Sequence, residues 1–157
     1  MGSDFVLGFR AEPACIHWAL VSGSIDVPVL ENHDNASAPL NQTEAQQLTW
    51  YRDRVLLLID THRPRKVAVR FAESFRPGGA KTDSGRRSRI EGVILEAANS
   101  VKLPVVTGAL KTISSKLGSQ SAKKYLESDD LRGLDWSGIS KNSREAILVA
   151  VAGLGEV

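Results

Sequence analysis

The order of β-type and helical segments constrains the fold of this chain more than any other feature of its sequence. Three β-type segments come first, at residues 5–11, 14–21 and 25–31, and only short turns separate them. The tripeptide Ser-Gly-Ser at residues 22–24 supplies typical turn chemistry before the third segment. Strands joined by connections this short usually pair in antiparallel fashion, so we expect an antiparallel meander.

Helices and strands alternate in the rest of the chain. A helix is predicted from Thr43 to about His62, because Thr43 and Gln46 match a capping box and apolar residues follow at helical spacing. The next segments are a strand, a helix capped by Ser84, a strand, two short helices and a last helix, predicted at residues 66–72, 85–101, 103–107, 110–117, 121–128 and 143–154. This order predicts an α/β fold with a mixed five-stranded sheet, three antiparallel strands and then two crossover strands, flanked by helices. We expect a single domain over residues 1–157.

Polar segments between these elements are predicted to be irregular. They are a loop at residues 32–42, a glycine-rich loop at residues 74–84, and a segment at residues 131–140 in which Trp136 is the expected buried anchor.

Composition predicts an ordinary globular protein of the cytoplasm. Hydrophobic residues make up 42% of the chain and charged residues 24%, both near the average for globular domains. We find neither a run of about 18 apolar residues nor the pattern of a secretory signal, so no membrane association is expected. Cys15 is the one cysteine and the three histidines are dispersed. We therefore expect no disulfide and no zinc site.

Basic charge is concentrated in one segment, although the whole chain has a net charge of only +2. Residues 63–89 contain nine basic residues against Glu73 and Asp83, a net charge of +7 that leaves −5 for the rest of the chain. Such a concentration is typical of proteins that bind a polyanion. The alternative is a solvated basic surface without a partner.

Four further segments carry recognisable patterns. They are LGFR at residues 7–10 with the strand HWALV after it, PRKVAVR at 64–70, SGRRSRIEGVILEAA at 84–98 with LPV after it, and REAILVA at 144–150. In this order they resemble the opening strands, the Pro-Asp-x-Val-Ala-Ile-Glu strand, the Gly-x-x-x-Gly-x-Ile helix and the closing Asp-Ala-Leu-Ala-x-Ala helix of the RuvC-type resolvases. The resemblance covers nearly the whole chain and implies a ribonuclease H-like fold.

The resemblance also implies where catalytic acids would stand. Members of that family cleave nucleic-acid phosphodiesters with two divalent ions, which carboxylates hold. In this chain the acid positions of the first and fourth strands hold Arg10 and Arg70, and those of the last helix hold Asn142 and Glu145. Two guanidinium groups at the metal position would repel cations, so we expect no metal there and no metal-dependent cleavage.

A rearranged catalytic site is the alternative. Glu12 follows Arg10 by two residues and Glu73 follows Arg70 by three. Together with Glu145, these acids could rebuild an active endonuclease that depends on Mg²⁺ or Mn²⁺. Arg10 itself has two interpretations: an ion pair with Glu145 or Glu73 in place of the metal cluster, or a bidentate contact with a phosphate.

The glycine-rich loop and the helix start after it form the predicted binding surface. Gly78 and Gly79 allow a close backbone approach, and basic side chains cluster around the expected helix N-terminus, which favours an anion. The residues predicted to bind nucleic acid are Arg10, Arg70, Arg76, Lys81, Arg86, Arg87 and Arg89. The leading hypothesis is a RuvC-like pseudonuclease that binds nucleic acid, DNA rather than RNA, with a homodimer left open. A protein-interaction scaffold or dimer subunit is the remaining hypothesis.

Overall fold

The computed structural model describes residues 4–72, 81–118 and 121–155, and of residues 81–84 it describes the backbone alone. The strands are β1 (Val6–Glu12), β2 (Cys15–Gly23), β3 (Pro28–Ala36), β4 (Lys66–Arg70), β5 (Val105–Gly108), β6 (Asp130–Leu131) and β7 (Leu134–Asp135). The helices are α1 (Glu44–His62), α2 (Lys81–Ser100), α3 (Leu110–Leu117), α4 (Ala122–Glu127) and α5 (Lys141–Gly153).

A mixed five-stranded sheet forms the centre of the structure, in the order β3-β2-β1-β4-β5. The first three strands pair antiparallel, whereas β1 pairs parallel to β4 and β4 pairs parallel to β5. The predicted meander followed by two crossover strands is therefore confirmed. Because β1 and β4 run in the same direction, their carboxyl ends meet at one edge of the sheet.

Helices cover both faces of this sheet. One face packs against α1 and α2, and the other packs against α5, with α3 and α4 beside it. Side chains alternate between the two faces along β1. Leu7 and Phe9 therefore belong to the core under α1 and α2, while Val6 belongs to the core under α5. Within the described ranges, we find no helix with the length and apolar character that a membrane crossing requires.

The ends of α1 follow the sequence signals. The Thr43 hydroxyl accepts a hydrogen bond from the Gln46 backbone N–H at 3.2 Å, and the Thr43 N–H donates to the Gln46 side chain at 2.9 Å. The predicted capping box is thus present. Arg63 adopts a left-handed conformation at the other end, just before Pro64.

Beyond shifts of one or two residues at other strand ends, three segments differ from the sequence predictions. Strand β3 starts later than expected and continues to Ala36, through residues predicted as a loop, because an edge strand can leave polar side chains in solvent. The segment predicted as irregular includes the short β6–β7 hairpin, although Trp136 is fully buried as expected. Helix α2 begins at Lys81 rather than after Ser84, so Arg86, Arg87 and Arg89 lie within the helix and not at its N-terminus.

Gly8 allows α5 to lie directly on β1. A Cβ atom at this position would lie 2.6 Å from the Cβ of Ala150 and would also meet the backbone oxygen of Ala146. Both obstacles belong to α5, and the Ala146 oxygen is backbone that no rotamer change can move. The close approach therefore requires glycine and fixes the height of α5 above the sheet.

We predict that Gly8→Ala lowers the free energy of unfolding by about 1–3 kcal/mol, because α5 must shift to admit the methyl group. Urea denaturation followed by circular dichroism measures this loss. Gly92→Ala is the matched control, since a Cβ on this exposed helical residue meets nothing within 4 Å. The control should gain about 0.5–1 kcal/mol from helix propensity. Equal effects of the two substitutions would contradict the close-packing explanation.

Candidate functional site

Two arginines lie side by side where β1 and β4 end. Arg10 pairs with Arg70 in the parallel register of the two strands. Both are on the sheet face that α5 covers, because each lies two residues beyond a small residue, Gly8 or Ala68, that packs on that side. The predicted proximity of Arg10 and Arg70 is therefore confirmed.

Glu145 joins these two arginines from α5. Its Oε1 atom accepts hydrogen bonds from the Nε atoms of Arg70 at 2.7 Å and Arg10 at 3.4 Å. The side chains of Glu145 and Arg70 are almost completely buried, and that of Arg10 is only 13% exposed. Of the two interpretations of Arg10, the structure therefore shows the ion pair with Glu145. A phosphate contact by the same guanidinium is compatible with this pair.

The start of α5 sets the position of Glu145. Ser140 is the N-cap, and its hydroxyl accepts a hydrogen bond from the Ser143 backbone N–H at 3.3 Å. Glu145 therefore falls one turn into a well-capped helix, on the side that faces the strand ends. The short Arg10–Glu145 and Arg70–Glu145 distances follow from this placement and from the close approach at Gly8.

Arg87 and Glu91 form a second buried pair beside the first. The Arg87 Nε atom donates to Glu91 Oε2 at 3.0 Å, and the same oxygen accepts from the backbone N–H of Ala72 at 3.1 Å, just beyond β4. The Nη2 atom of Arg87 is buried, and no described residue accepts a hydrogen bond from it. This guanidinium therefore keeps a donor available.

Electrostatics in this region favour an additional anion. Burial, and then the nearby charges of Arg10 and Arg70, lower the pKa of Arg87 despite the carboxylate of Glu91. Burial likewise raises the pKa of Glu91. Among the described residues, three guanidinium groups and two carboxylates meet here, which leaves one positive charge in excess. We call these five residues the arginine cluster: Arg10, Arg70, Arg87, Glu91 and Glu145.

Other predicted basic residues point elsewhere. Arg89 donates to both carboxylate oxygens of Glu44 on α1, at 2.6 and 2.9 Å, and Arg86 lies 3.9 Å from the same carboxylate. The hydrogen bond from Arg89 lowers the pKa of Glu44. Both arginines are about half exposed and belong to the α1–α2 surface rather than to the arginine cluster. Arg76, Glu73 and the side chain of Lys81 lie outside the described residues.

Glu12 has partners of its own at the β1–β2 turn. Its Oε2 atom contacts His17 Nε2 and lies 3.2 Å from the Sγ atom of Cys15. Burial alone would raise the pKa of Glu12, but hydrogen bonds with His17 and Cys15 hold it below its usual value. Burial, followed by the hydrogen bond to Glu12, raises the pKa of Cys15 to about 12. His17 is buried here and lies beside Cys15 and Glu12.

Sequence reasoning missed two parts of this region. The spacing of Arg87 and Glu91 at i and i+4 on a predicted helix signals an ion pair, but its burial against the strand ends is a tertiary property. The signal for the Glu12, Cys15 and His17 grouping was stronger. A two-residue turn places Glu12 opposite Cys15, and alternation then puts His17 on the same face.

Comparisons with known proteins identify the fold. No protein-family model matches the sequence, and neither does any curated protein. Among solved structures, RuvC of Thermus thermophilus in complex with a Holliday junction substrate has a TM-score of 0.74 at 16% identity, over 96% of this chain and 92% of that one.

Two more solved structures are similar to this chain. Another structure of T. thermophilus RuvC has a TM-score of 0.73 at 16% identity, over 94% of this chain and 92% of that one. The yeast mitochondrial Holliday junction resolvase Ydc2 has a TM-score of 0.65 at 13% identity, over 98% of this chain and 78% of that one. The chain therefore has the ribonuclease H-like fold, with the strand order and crossovers of RuvC.

Proposed function

We propose that this protein binds the phosphate backbone of DNA at the arginine cluster and does not cleave it by metal-dependent hydrolysis. The observation that carries the proposal is the buried Nη2 donor of Arg87, which has no acceptor among the described residues. It belongs to a cluster whose described guanidinium groups outnumber its described carboxylates by one. A phosphate oxygen would satisfy this donor and neutralise the excess charge. Guanidinium groups suit this task because they bind phosphate in a fixed, bidentate geometry.

The position of the cluster supports a nucleic acid as the source of the phosphate. The cluster lies at the carboxyl ends of β1 and β4, and in the RuvC-type resolvases that this chain resembles, these strand ends carry the catalytic acids. T. thermophilus RuvC, which shares the fold, was solved with a Holliday junction substrate. Arg86 and Arg89 add exposed basic charge on α2. Because they are about half exposed, they suit sequence-independent contact with a backbone.

The contacts of the acids argue against the active-nuclease alternative. A site made of Glu12, Glu73 and Glu145 would need free carboxylate oxygens for Mg²⁺ or Mn²⁺. Glu145 is instead engaged by two guanidinium groups, and Glu12 is engaged by His17 and Cys15. Arg10 and Arg70 would also repel a divalent cation at this place. This repulsion adds to the free energy needed to release Glu12 and Glu145 from their present partners.

The first test is binding of fluorescent four-way-junction, duplex and single-stranded DNA, and of RNA, across a range of salt concentrations. Arg87→Gln should raise the Kd for DNA about 10–100-fold, since a charge-assisted hydrogen bond contributes about 1.5–3 kcal/mol. The slope of log K against log salt concentration should become less steep by about 0.9, which corresponds to the loss of one phosphate contact.

Arg63→Gln is the matched control for this experiment. Arg63 belongs to the same basic segment, but it is 78% exposed and pairs with Asp60 at the end of α1. Its loss should leave the affinity nearly unchanged. Wild-type affinity in folded Arg87→Gln protein would refute the proposed contact, and an absence of binding by the wild type to every nucleic acid would favour the interaction scaffold.

Glu145→Gln distinguishes the two functional hypotheses in the same assay. Removing its negative charge raises the excess charge of the cluster from one to two, so DNA affinity should increase under our proposal. An active nuclease that uses Glu145 would instead lose cleavage in the presence of Mg²⁺ or Mn²⁺. Cleavage by the wild type that this variant abolishes would overturn the proposal.

A further inference from the structure

Three side chains of different chemistry converge at the β1–β2 turn. The Sγ atom of Cys15 lies 3.2 Å from Glu12 Oε2 and 3.6 Å from His17 Nε2, and the latter two atoms contact each other. His17 is buried, whereas Cys15 and Glu12 are partly open to solvent. All three ligand atoms lie within 4.8 Å of one another. We call these residues the turn triad.

The backbone holds the turn triad in place. Glu12 and Cys15 are directly opposite in the antiparallel register, with Pro13 and Ala14 as the two-residue turn between them. His17 lies two residues further along β2, so the three side chains share one face of the sheet. This geometry depends on strand pairing rather than on a mobile loop.

A contact from α5 orients the histidine. The Nδ1 atom of His17 shares a hydrogen bond with the Ser143 hydroxyl at 3.2 Å, and that hydroxyl is 3.1 Å from the Ser140 hydroxyl. The Nε2 atom is therefore left for Glu12 and Cys15. Histidines that bind metals usually have such a second hydrogen bond on the other ring nitrogen, because it fixes the ring and its tautomer.

The geometry points to a Zn²⁺ site in which Glu12 Oε2, Cys15 Sγ and His17 Nε2 are the three protein ligands. Zn²⁺ binds this mixture of thiolate, imidazole and carboxylate in a tetrahedral arrangement, with bonds of about 2.0–2.3 Å. Such bonds place neighbouring ligand atoms about 3.3–3.6 Å apart. The Cys15–His17 distance of 3.6 Å matches the top of this range, where a sulfur ligand should lie, and the Cys15–Glu12 distance of 3.2 Å is shorter by about 0.4 Å. The Glu12 oxygen must therefore move away from both Cys15 and His17 to admit the ion.

The chemistry of the ligands selects the metal. Mg²⁺ and Mn²⁺ prefer oxygen ligands, whereas sulfur and imidazole nitrogen favour Zn²⁺. Coordination transfers the thiol proton of Cys15 to solvent, so the metal binds the thiolate. The partial exposure of Glu12 and Cys15 leaves the fourth tetrahedral position for water. The negative charges of the Cys15 thiolate and the Glu12 carboxylate balance the charge of Zn²⁺, so the nearby Arg10 guanidinium faces a neutral site.

This site is independent of the proposed DNA contact. It uses none of the residues of the arginine cluster, and its ligands come from the β1–β2 turn. Zn²⁺ would link the end of β1 to the start of β2. Because His17 also contacts Ser143, the bound ion would restrain the start of α5 as well.

The test is a calorimetric titration of Zn²⁺ into untagged, chelator-treated protein of the full chain. We expect one Zn²⁺ per chain and a higher melting temperature with Zn²⁺. Substituting Co²⁺ should produce a thiolate-to-cobalt charge-transfer band, which reports sulfur ligation directly.

Variants then assign the ligands. Cys15→Ser and Glu12→Gln change partly exposed residues at a turn, so both should fold, and each should weaken Zn²⁺ binding about 100-fold or more. Ser143→Ala should weaken it about 10-fold, because only the orientation of His17 is lost. His33→Gln, on the partly exposed edge strand β3, is the control and should bind as the wild type does.

Two results would overturn the proposal. One is wild-type protein that takes up no Zn²⁺ at submillimolar concentration, which would make the turn triad a hydrogen-bonded cluster only. The other is Cys15→Ser protein that binds Zn²⁺ as tightly as the wild type does, or whose Co²⁺ spectrum is the same as that of the wild type. DNA binding needs no metal in either case, so failure here leaves the proposed function to its own test.

Discussion

Replacing Glu145 with leucine is expected to lower the free energy of unfolding by about 3–5 kcal/mol. The carboxylate is buried between Arg10 and Arg70, and its loss removes the negative charge that these two buried guanidinium groups share. The backbone oxygens of Ala11 and Phe71 still accept from these arginines, but they carry no full negative charge. The melting temperature should fall by about 2–4 °C for each kcal/mol. Urea denaturation and thermal unfolding measure both quantities.

Glu127→Leu provides the matched control for this prediction. Glu127 is exposed at the end of α4, so the same change of side chain should alter the free energy of unfolding by less than about 0.5 kcal/mol. A similar small change for Glu145→Leu would mean that the ion pairs do not stabilise the fold.

A second substitution separates lost attraction from uncompensated charge. If most of the loss in the free energy of unfolding comes from burying guanidinium groups beside an apolar leucine, adding Arg70→Met to Glu145→Leu should recover part of the lost stability. Apolar side chains of similar size then replace the most buried ion pair of the cluster. A double variant whose loss equals the sum of the two single losses would show no coupling between Glu145 and Arg70 and would contradict this prediction.

The order and pairing of the main elements could be predicted from the sequence because each has a local signal. The capping box at Thr43, the apolar spacing along α1 and α2, and the short turns between the first strands all depend on neighbouring residues. The extension of β3 to Ala36 could not be predicted this way, because its polar residues form a strand only through pairing with β2. The start of α2 at Lys81 had no distinct cap signal either.

The candidate site shows the same division. The proximity of Arg10 and Arg70 could be predicted, because the resemblance makes β1 and β4 neighbours and both residues stand at strand ends. The sequence left Glu145 and Glu73 as two possible partners of Arg10. It could not decide between them, because the answer depends on how closely α5 packs on the sheet. The burial of Arg87 could not be predicted, since its spacing to Glu91 is equally typical of an exposed helical pair.

The other large effect is expected at Trp136, where substitution by alanine should lower the free energy of unfolding by about 3–5 kcal/mol. The ring is fully buried in the core under α5, and its Nε1 atom donates to the backbone oxygen of Ser128 at 2.6 Å. The guanidinium of Arg144 also lies 5.4 Å from the ring centroid. Alanine removes the largest fully buried side chain of the protein and leaves a cavity that the short β6–β7 hairpin cannot fill.

Trp50→Ala is the control that isolates burial from the loss of an indole. Trp50 lies on α1, half-buried beside Tyr51 and Arg54, so its removal should cost roughly 1 kcal/mol. Far-ultraviolet circular dichroism in urea is the appropriate measurement, because both substitutions alter tryptophan fluorescence. Trp136→Phe keeps most of the packing and removes one of two hydrogen bonds to the Ser128 oxygen, because Arg144 Nη1 also donates to that oxygen at 2.9 Å. This change should cost about 0.5–1.5 kcal/mol. A loss at Trp136→Ala no larger than at Trp50→Ala would mean that this end of the fold contributes little to global stability, and that α5 is held mainly by the sheet and the arginine cluster.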